Sequence, residues 1–262
     1  IKSEQISLAA YLTSDSLWLF YTWPDRSRIG FRTAYSPSGE LEIKDQSQED
    51  GAYLLSLECS TLKYSVRIEF PSEGVQAFRY EVSIVPKIAV LMPFWPKDIL
   101  SFNKRSKIRD SGEIHTKQVG TRSGILFFND GNSGSVFYFQ NLTALNKYCQ
   151  ATETSAKDVV GGEWPEIGFS LPSALKPLAI GERYVISDAF VRLDPQAIEN
   201  TSDISKRYLA NLAETYLLIP RPERHYHNWL DTVEKGIRDL FYHKGCWTYG
   251  SGNVYLNAYV AD

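Results

Sequence analysis

Two tryptophans that lie beside acidic residues have the types and spacing that suit sugar recognition. Trp95 precedes Asp98 by three residues, and Trp164 lies between Glu163 and Glu166. A tryptophan offers a broad apolar ring that stacks on the apolar face of a sugar, and a carboxylate accepts hydrogen bonds from hydroxyl groups. We therefore predict that Trp95, Asp98, Glu163 and Trp164 bind carbohydrate. The residues also allow an alternative, in which both tryptophans pack between a sheet and a neighbouring helical element.

Catalytic signatures are missing from the sequence. Glycoside hydrolysis needs two carboxylates, one as acid and one as base or nucleophile, and no pair of acids has a spacing that assigns these roles. A Gly-x-Ser-x-Gly motif is absent, and Gly161-Gly162 precedes Glu163-Trp164-Pro165 rather than a helix. We therefore predict no catalytic residue in this chain.

Histidines and cysteines do not have the spacing of a metal site. His225 and His227 are two residues apart, but the sequence places no third ligand beside them. Cys59, Cys149 and Cys246 are far apart, so at most one disulfide could form among them. Cys59 lies in an apolar strand pattern and is predicted to be a buried thiol. We predict neither a metal nor another cofactor.

Composition and net charge limit the classes of protein to which this chain can belong. Hydrophobic residues make up 43% of the 262, which is enough for a sizeable core, and no stretch approaches the length of a membrane span. The net charge of −3 argues against a nucleic-acid partner, because phosphate neutralisation needs a basic excess. A local basic cluster is interpreted as a solvated loop or edge strand rather than a polyanion site: Lys104, Arg105, Lys107 and Arg109.

Apolar and polar residues alternate with a period of two over most of the sequence from Ile6 to Leu193. This pattern is typical of β-strands, which would position the residues named above. In 64–70, for example, Tyr, Val, Ile and Phe alternate with Ser, Arg and Glu. The turn formers in 129–134 predict a hairpin between the apolar runs 124–128 and 135–139. The pattern predicts a mainly β protein, with a large antiparallel β-sandwich over residues 1–195.

Helical periodicity replaces the strand pattern after Leu193. Apolar residues in 204–216 and 227–243 recur at helical spacing, and the run Val254–Val260 is apolar again. We predict a short α-helical C-terminal segment over 196–262, comprising a linker and the start of a truncated helical domain. The alternative is that these helices pack on one sheet face and complete the fold.

The end of the predicted sandwich and the two predicted helices after it resemble a known architecture. These segments are residues 178–191, 204–217 and 229–241. The layout resembles the N-terminal supersandwich domain and inter-domain helices of bacterial glycoside hydrolases whose catalytic part is an (α/α)6 toroid. The sandwich is also similar to the galactose-mutarotase-like fold class. The resemblance implies that acid and base reside on the toroid, with the sandwich beside it. A mutarotase would require a histidine pair and a glutamate, whereas His115 is the only histidine within the predicted sandwich.

These observations lead to one expected function and two alternatives. We expect the non-catalytic sandwich portion of a carbohydrate-active enzyme, inactive alone, secreted or periplasmic, with a carbohydrate ligand and a downstream helical domain of the same parent chain as partners. The alternatives are a free-standing carbohydrate-binding or mutarotase-like protein, and a structural or adhesion module.

Overall fold

The computed structural model describes residues 1–70, 76–118, 120, 122–219 and 226–256. The chain forms two compact units, Ile1–Leu218 and Ile219–Asp262. The first unit extends past residue 195, because it includes the helix that follows the sandwich. A separate domain beginning at 196 stays a prediction. The metal candidate His225 and residues 257–260 of the last apolar run lie outside the described residues.

Strands are the main regular element of the first unit. In chain order they are β1 (Leu8–Leu12), β2 (Ser16–Thr22), β3 (Arg28–Tyr35), β4 (Glu42–Glu49), β5 (Ala52–Glu58), β6 (Leu62–Glu69), β7 (Ala77–Pro86), β8 (Ile99–Phe102), β9 (Glu113–Gln118), β10 (Ser123–Asn129), β11 (Ser135–Asn141), β12 (Val160–Glu163), β13 (Glu166–Phe169) and β14 (Tyr184–Asp194). Helix α1 (Asn146–Thr152) follows β11, and helix α2 (Thr201–Leu218) follows β14.

Two antiparallel sheets form the sandwich. The six-stranded sheet has the order β1-β2-β3-β8-β13-β12, and the eight-stranded sheet has the order β4-β5-β6-β7-β14-β11-β10-β9. The predicted hairpin is β10–β11, closed by the pair Asn129 and Ser135. The prediction of a mainly β chain with a large antiparallel sandwich and C-terminal helices is confirmed.

Alternation along each strand decides which side chains form the core. In β3, Ile29, Phe31 and Ala34 face the other sheet and are fully buried, whereas Arg28 and Arg32 lie on the opposite face. Cys59 is a buried free thiol, as predicted, and Cys149 and Cys246 are also free. The core lies between the sheets because both inner faces are apolar.

Helix α2 covers part of the outer face of the eight-stranded sheet. Asn200 caps it, since the Asn200 Oδ1 accepts a hydrogen bond from the Asp203 N–H at 3.0 Å. The Tyr208 ring packs against Phe127 and Phe137, with centroids 6.3 and 6.0 Å apart. At the far edge of the same sheet, β4 has every residue exposed.

The second unit contains helix α3 (Trp229–Tyr242) and a hairpin of β15 (Trp247–Gly250) and β16 (Asn253–Leu256). The Asn228 side chain caps α3 by accepting from the Leu230 N–H at 3.0 Å. Within this unit the apolar stripe of α3 stays exposed: Trp229, Leu230, Val233, Ile237, Leu240 and Phe241. No helix in the described part of the chain is long and apolar enough to cross a membrane.

Candidate functional site

Asp98 lies immediately before β8, and its carboxylate connects the two sheets. Oδ2 accepts hydrogen bonds from the Tyr80 hydroxyl at 3.0 Å and the Tyr138 hydroxyl at 2.7 Å, both from the opposite sheet. Oδ1 accepts the Phe169 backbone N–H at 2.7 Å. Asp98 is only 1% exposed, so three protein donors take up its carboxylate in the core.

Burial also changes the protonation of this group. It raises the pKa of Asp98 to about 6, although the hydrogen bonds from Phe169, Tyr138 and Tyr80 oppose this rise. Gly168 packs directly on the carboxylate, because a Cβ at Gly168 would lie 2.1 Å from Asp98 Oδ1. The geometry therefore makes Asp98 a link between sheets, enclosed on all sides by protein groups.

Trp95 is also in the core. It is 4% exposed and contacts the Tyr35 ring edge-on, with centroids 5.5 Å apart. Its ring face is therefore packed against protein rather than presented to solvent.

Glu163 and Trp164 lie at the turn of the β12–β13 hairpin. Glu163 pairs with Glu166 across the turn, and both residues are exposed. The Trp164 ring packs edge-on against Phe128 at 5.7 Å and closes over Gly112, where a Cβ would lie 2.4 Å from the ring. The structure thus separates the four predicted residues into a core pair and a hairpin pair. Whether they bind carbohydrate stays a prediction.

A polar cleft of about 1050 Å³ opens at the end of the sandwich, at a place that the sequence did not indicate. Three segments line it: the loop that enters β9, the β10–β11 turn, and the connection from β14 into α2. Its side chains mix acids, amides and guanidinium groups: Arg109, Glu113, Asn132, Gln196, Glu199 and Arg207.

Asn129 fixes the wall of this cleft. Its Oδ1 accepts the Ile198 backbone N–H at 2.9 Å, and its Nδ2 donates to the Ile198 carbonyl oxygen at 2.9 Å. Nδ2 also lies 3.3 Å from the Glu113 carboxylate. These paired bonds hold the β14–α2 connection against the hairpin turn. From helix α2, Arg207 reaches back to this connection: it donates to the Gln196 carbonyl oxygen at 2.7 Å and pairs with Asp194 at 3.2 Å.

Asp130 supports the floor of the turn beside the cleft. Its carboxylate accepts the Trp23 Nε1–H at 2.6 Å and the Ser101 hydroxyl, and Arg109 Nε lies 3.2 Å away. Burial raises the pKa of Asp130, which Ser101, Arg109 and Trp23 oppose. Arg109, one of the four residues in the predicted basic cluster, is therefore held in a structural ion pair. It also donates to Ser133 Oγ at 3.0 Å.

Polar side chains dominate the lining of the cleft. Within the described residues, no group of three or more His, Cys, Asp or Glu side chains is placed to hold a metal ion. Asn132 and Glu113 are both exposed at its rim, and the Glu113 carboxylate also lies 3.3 Å from Asn129 Nδ2 and 3.5 Å from His115 Nδ1. The turn formers 129–134 and Arg109 were visible in the sequence, but the return of residues 195–200 to that turn is a tertiary feature.

Comparison with known proteins gives no relative for this chain: no family model, no curated protein and no solved structure matches it. The β-rich two-sheet sandwich is shown by the structure itself. A relationship to galactose-mutarotase-like sandwiches or to glycoside hydrolases is a proposal.

Proposed function

We propose that this chain is the non-catalytic β-sandwich portion of a carbohydrate-active enzyme, a glycoside hydrolase acting on a polysaccharide or oligosaccharide. The observation that carries the proposal is the polar cleft between the β10–β11 turn and the β14–α2 connection. Its volume of about 1050 Å³ is large enough for a small oligosaccharide.

The lining of the cleft matches the chemistry of a sugar. Each sugar hydroxyl both donates and accepts hydrogen bonds, so a sugar site needs donors and acceptors side by side. Asn132 supplies a donor and an acceptor, and Glu113 and Glu199 supply acceptors. Arg109 and Arg207, which Asp130 and Asp194 hold in ion pairs, place positive charge along the same lining. The charges nearly balance, which favours a neutral polyol over an ion.

Catalysis is assigned in this proposal to a helical domain of the same parent protein. Helix α3 supports this assignment, because its apolar stripe is exposed within its own unit and matches what a helical neighbour would cover. As part of the same proposal the protein is secreted or periplasmic, where large polysaccharides occur.

A mutarotase activity has less support from the geometry. His115 in β9 has a side chain only 1% exposed, and it lies beside Phe127, the ring on which Tyr208 of α2 packs. Its ring contacts Phe127 edge-on at 5.4 Å. A histidine in that position is not presented to a sugar from solvent.

Calorimetric titration of the chain with neutral oligosaccharides of defined linkage tests the proposal. We expect Asn132→Ala and Glu113→Gln each to weaken binding about fivefold to tenfold, the effect of one lost polar contact. Gln46→Ala, which removes an exposed amide on β4, is the matched control and should bind as the wild type does. Absence of binding to every oligosaccharide, or hydrolysis by this chain alone, would contradict the proposal.

A further inference from the structure

The outer face of the six-stranded sheet has an unusual composition. Strand alternation places three aromatic residues of β1 and β2 and one of β8 on the side opposite the core, together with two arginines of β3. We call this surface the aromatic–arginine face: Tyr11, Trp18, Phe20, Arg28, Arg32 and Phe102. It is separate from the polar cleft, and helices α1 and α2 contact strands of the other sheet.

Phe20 is the centre of the aromatic group. Its ring centroid lies 5.6 Å from that of Tyr11, 6.0 Å from that of Trp18 and 5.8 Å from that of Phe102. It also covers Gly30, where a Cβ would lie 2.4 Å from the ring. Tyr11 is 52% exposed, so one ring of the group is open to a ligand.

Both arginines lie over these rings. The Arg28 guanidinium carbon is 5.7 Å from the Phe20 centroid and 5.8 Å from the Phe102 centroid. The Arg32 guanidinium carbon is 4.5 Å from the Trp18 centroid and 5.2 Å from that of Tyr35. A guanidinium that stacks through its face keeps its N–H edges for a planar bidentate acceptor.

Neither arginine has a carboxylate within ion-pair distance in the part of the chain that the structure describes. Arg32 Nε and Nη1 are buried atoms without a hydrogen-bond acceptor. Asp98 and Asp15 act on Arg32 only through longer-range attraction. Nη2 is the remaining terminal nitrogen of Arg32 and is not one of these buried atoms, so an incoming oxyanion would pair with Arg32 through Nη2.

We propose that the aromatic–arginine face binds an acidic polysaccharide, with uronate carboxylates accepting hydrogen bonds from Arg28 and Arg32 and a sugar ring stacking on Tyr11. The inference shares only its ligand class, carbohydrate, with the proposed function. The two arginines are four residues apart on β3, roughly 13 Å at the rise of a strand, and so contact different sugar units of one chain. The required ligand is therefore a polymer with repeated carboxylates.

A single-stranded nucleic acid is the other polyanion with stacking rings. It is less favoured, because successive bases stack on successive exposed rings, whereas Tyr11 is exposed and Trp18, Phe20 and Phe102 are buried or half-buried.

Affinity electrophoresis with polygalacturonate, and with the same polymer after chemical reduction of its carboxyl groups, tests the inference. We expect binding to polygalacturonate and much weaker binding to the reduced polymer. Arg28→Gln should weaken polygalacturonate binding about tenfold, while Arg28→Lys, which keeps the charge but loses the planar fork, should restore little of it. Tyr11→Ala should weaken binding to both polymers.

Arg122→Gln is the matched control, since it removes an exposed arginine beside the other sheet with the same change in charge. Equal binding of the two polymers, equal loss in Arg122→Gln and Arg28→Gln, or no binding to polygalacturonate would overturn the inference. Displacement of polygalacturonate by single-stranded oligo-dT, with the same dependence on Arg28, would overturn it in favour of a nucleic-acid surface. None of these results decides whether the proposed function is right, because that function depends on the cleft and is tested separately by the titration with neutral oligosaccharides.

Discussion

The two faces of the six-stranded sheet differ in whether their charged side chains have partners within the protein. On the inner side, the Asp98 carboxylate has three donors from the protein and no access to solvent. On the outer side, Arg28 and Arg32 stack on rings but have no carboxylate partner within the described residues. A carboxyl group whose oxygens are taken up by protein donors acts as a structural link, whereas a guanidinium that lacks a carboxylate partner and is partly exposed can pair with a ligand. Substitutions on the inner face should therefore alter stability, and those on the outer face should alter binding.

Removal of the inner carboxylate should have the largest effect. We expect Asp98→Ala to lower the free energy of unfolding by about 3 to 5 kcal/mol, because Tyr80, Tyr138 and the Phe169 N–H lose their acceptor in the core. Urea unfolding at pH 5 measures this. Asp98→Asn keeps an oxygen for Phe169 and should cost much less, and equal losses in the two variants would show that the acceptor is not what matters.

The pH dependence of stability should separate Asp98 from the other groups. Asp98 titrates near 3.8 in the unfolded chain and at about 6 in the folded protein, so the folded state binds its proton more tightly. Its stabilising contribution is therefore complete below pH 3.8, decreases as the pH rises, and is lost above about pH 6. Relative to Asp98→Asn, the wild type should lose on the order of 3 kcal/mol of unfolding free energy between pH 3.5 and 7. Parallel curves for the two proteins would contradict this assignment.

At the cleft, fixed and unfixed amides should behave differently. Asn129→Ala should cost about 2 kcal/mol of unfolding free energy, because both Ile198 backbone groups lose their partner. Asn132→Ala, three residues away on the exposed rim of the same turn, should change stability by less than about 0.5 kcal/mol. Thermal unfolding of both variants makes the comparison. A large loss in Asn132→Ala would mean that the rim is structural.

The outer face of the six-stranded sheet should also show only a small effect on stability. Arg28→Gln removes two stacking contacts at a partly exposed site and should cost only about 0.5 to 1 kcal/mol. Circular dichroism on heating tests this expectation. A loss as large as that of Asp98→Ala would make Arg28 a structural residue and remove the contrast between the two faces.

Local patterns were sufficient to predict most of the fold. Alternation in β3 and β6, the turn formers between β10 and β11, and the helical spacing in α2 and α3 all correspond to elements of the structure. Each of these signals depends on neighbours a few residues apart. The pairing of β3 with β8 is different, because β8 is too short for a clear period and its partner lies far away in sequence.

The sites could be predicted only in part. The sequence led us to predict Asp98 as a carbohydrate-binding residue, and this stays a prediction. Its environment in the structure depends on Tyr80 and Tyr138, which are 18 and 40 residues away. The cleft likewise depends on the contact of Asn129 with Ile198, 69 residues apart. The aromatic–arginine face requires the order of strands β1, β2, β3 and β8, which no single window of sequence contains.

Strand β4 has a consequence for how the protein behaves at high concentration. It ends the eight-stranded sheet with a row of backbone groups that another chain could extend, yet all its residues except Ile43 are polar and every one is exposed. Charged residues on an edge strand oppose pairing with a second copy, because they would have to be brought together and desolvated. The sheet is thus protected against edge-to-edge aggregation at this strand by Glu42, Lys44, Asp45 and Glu49.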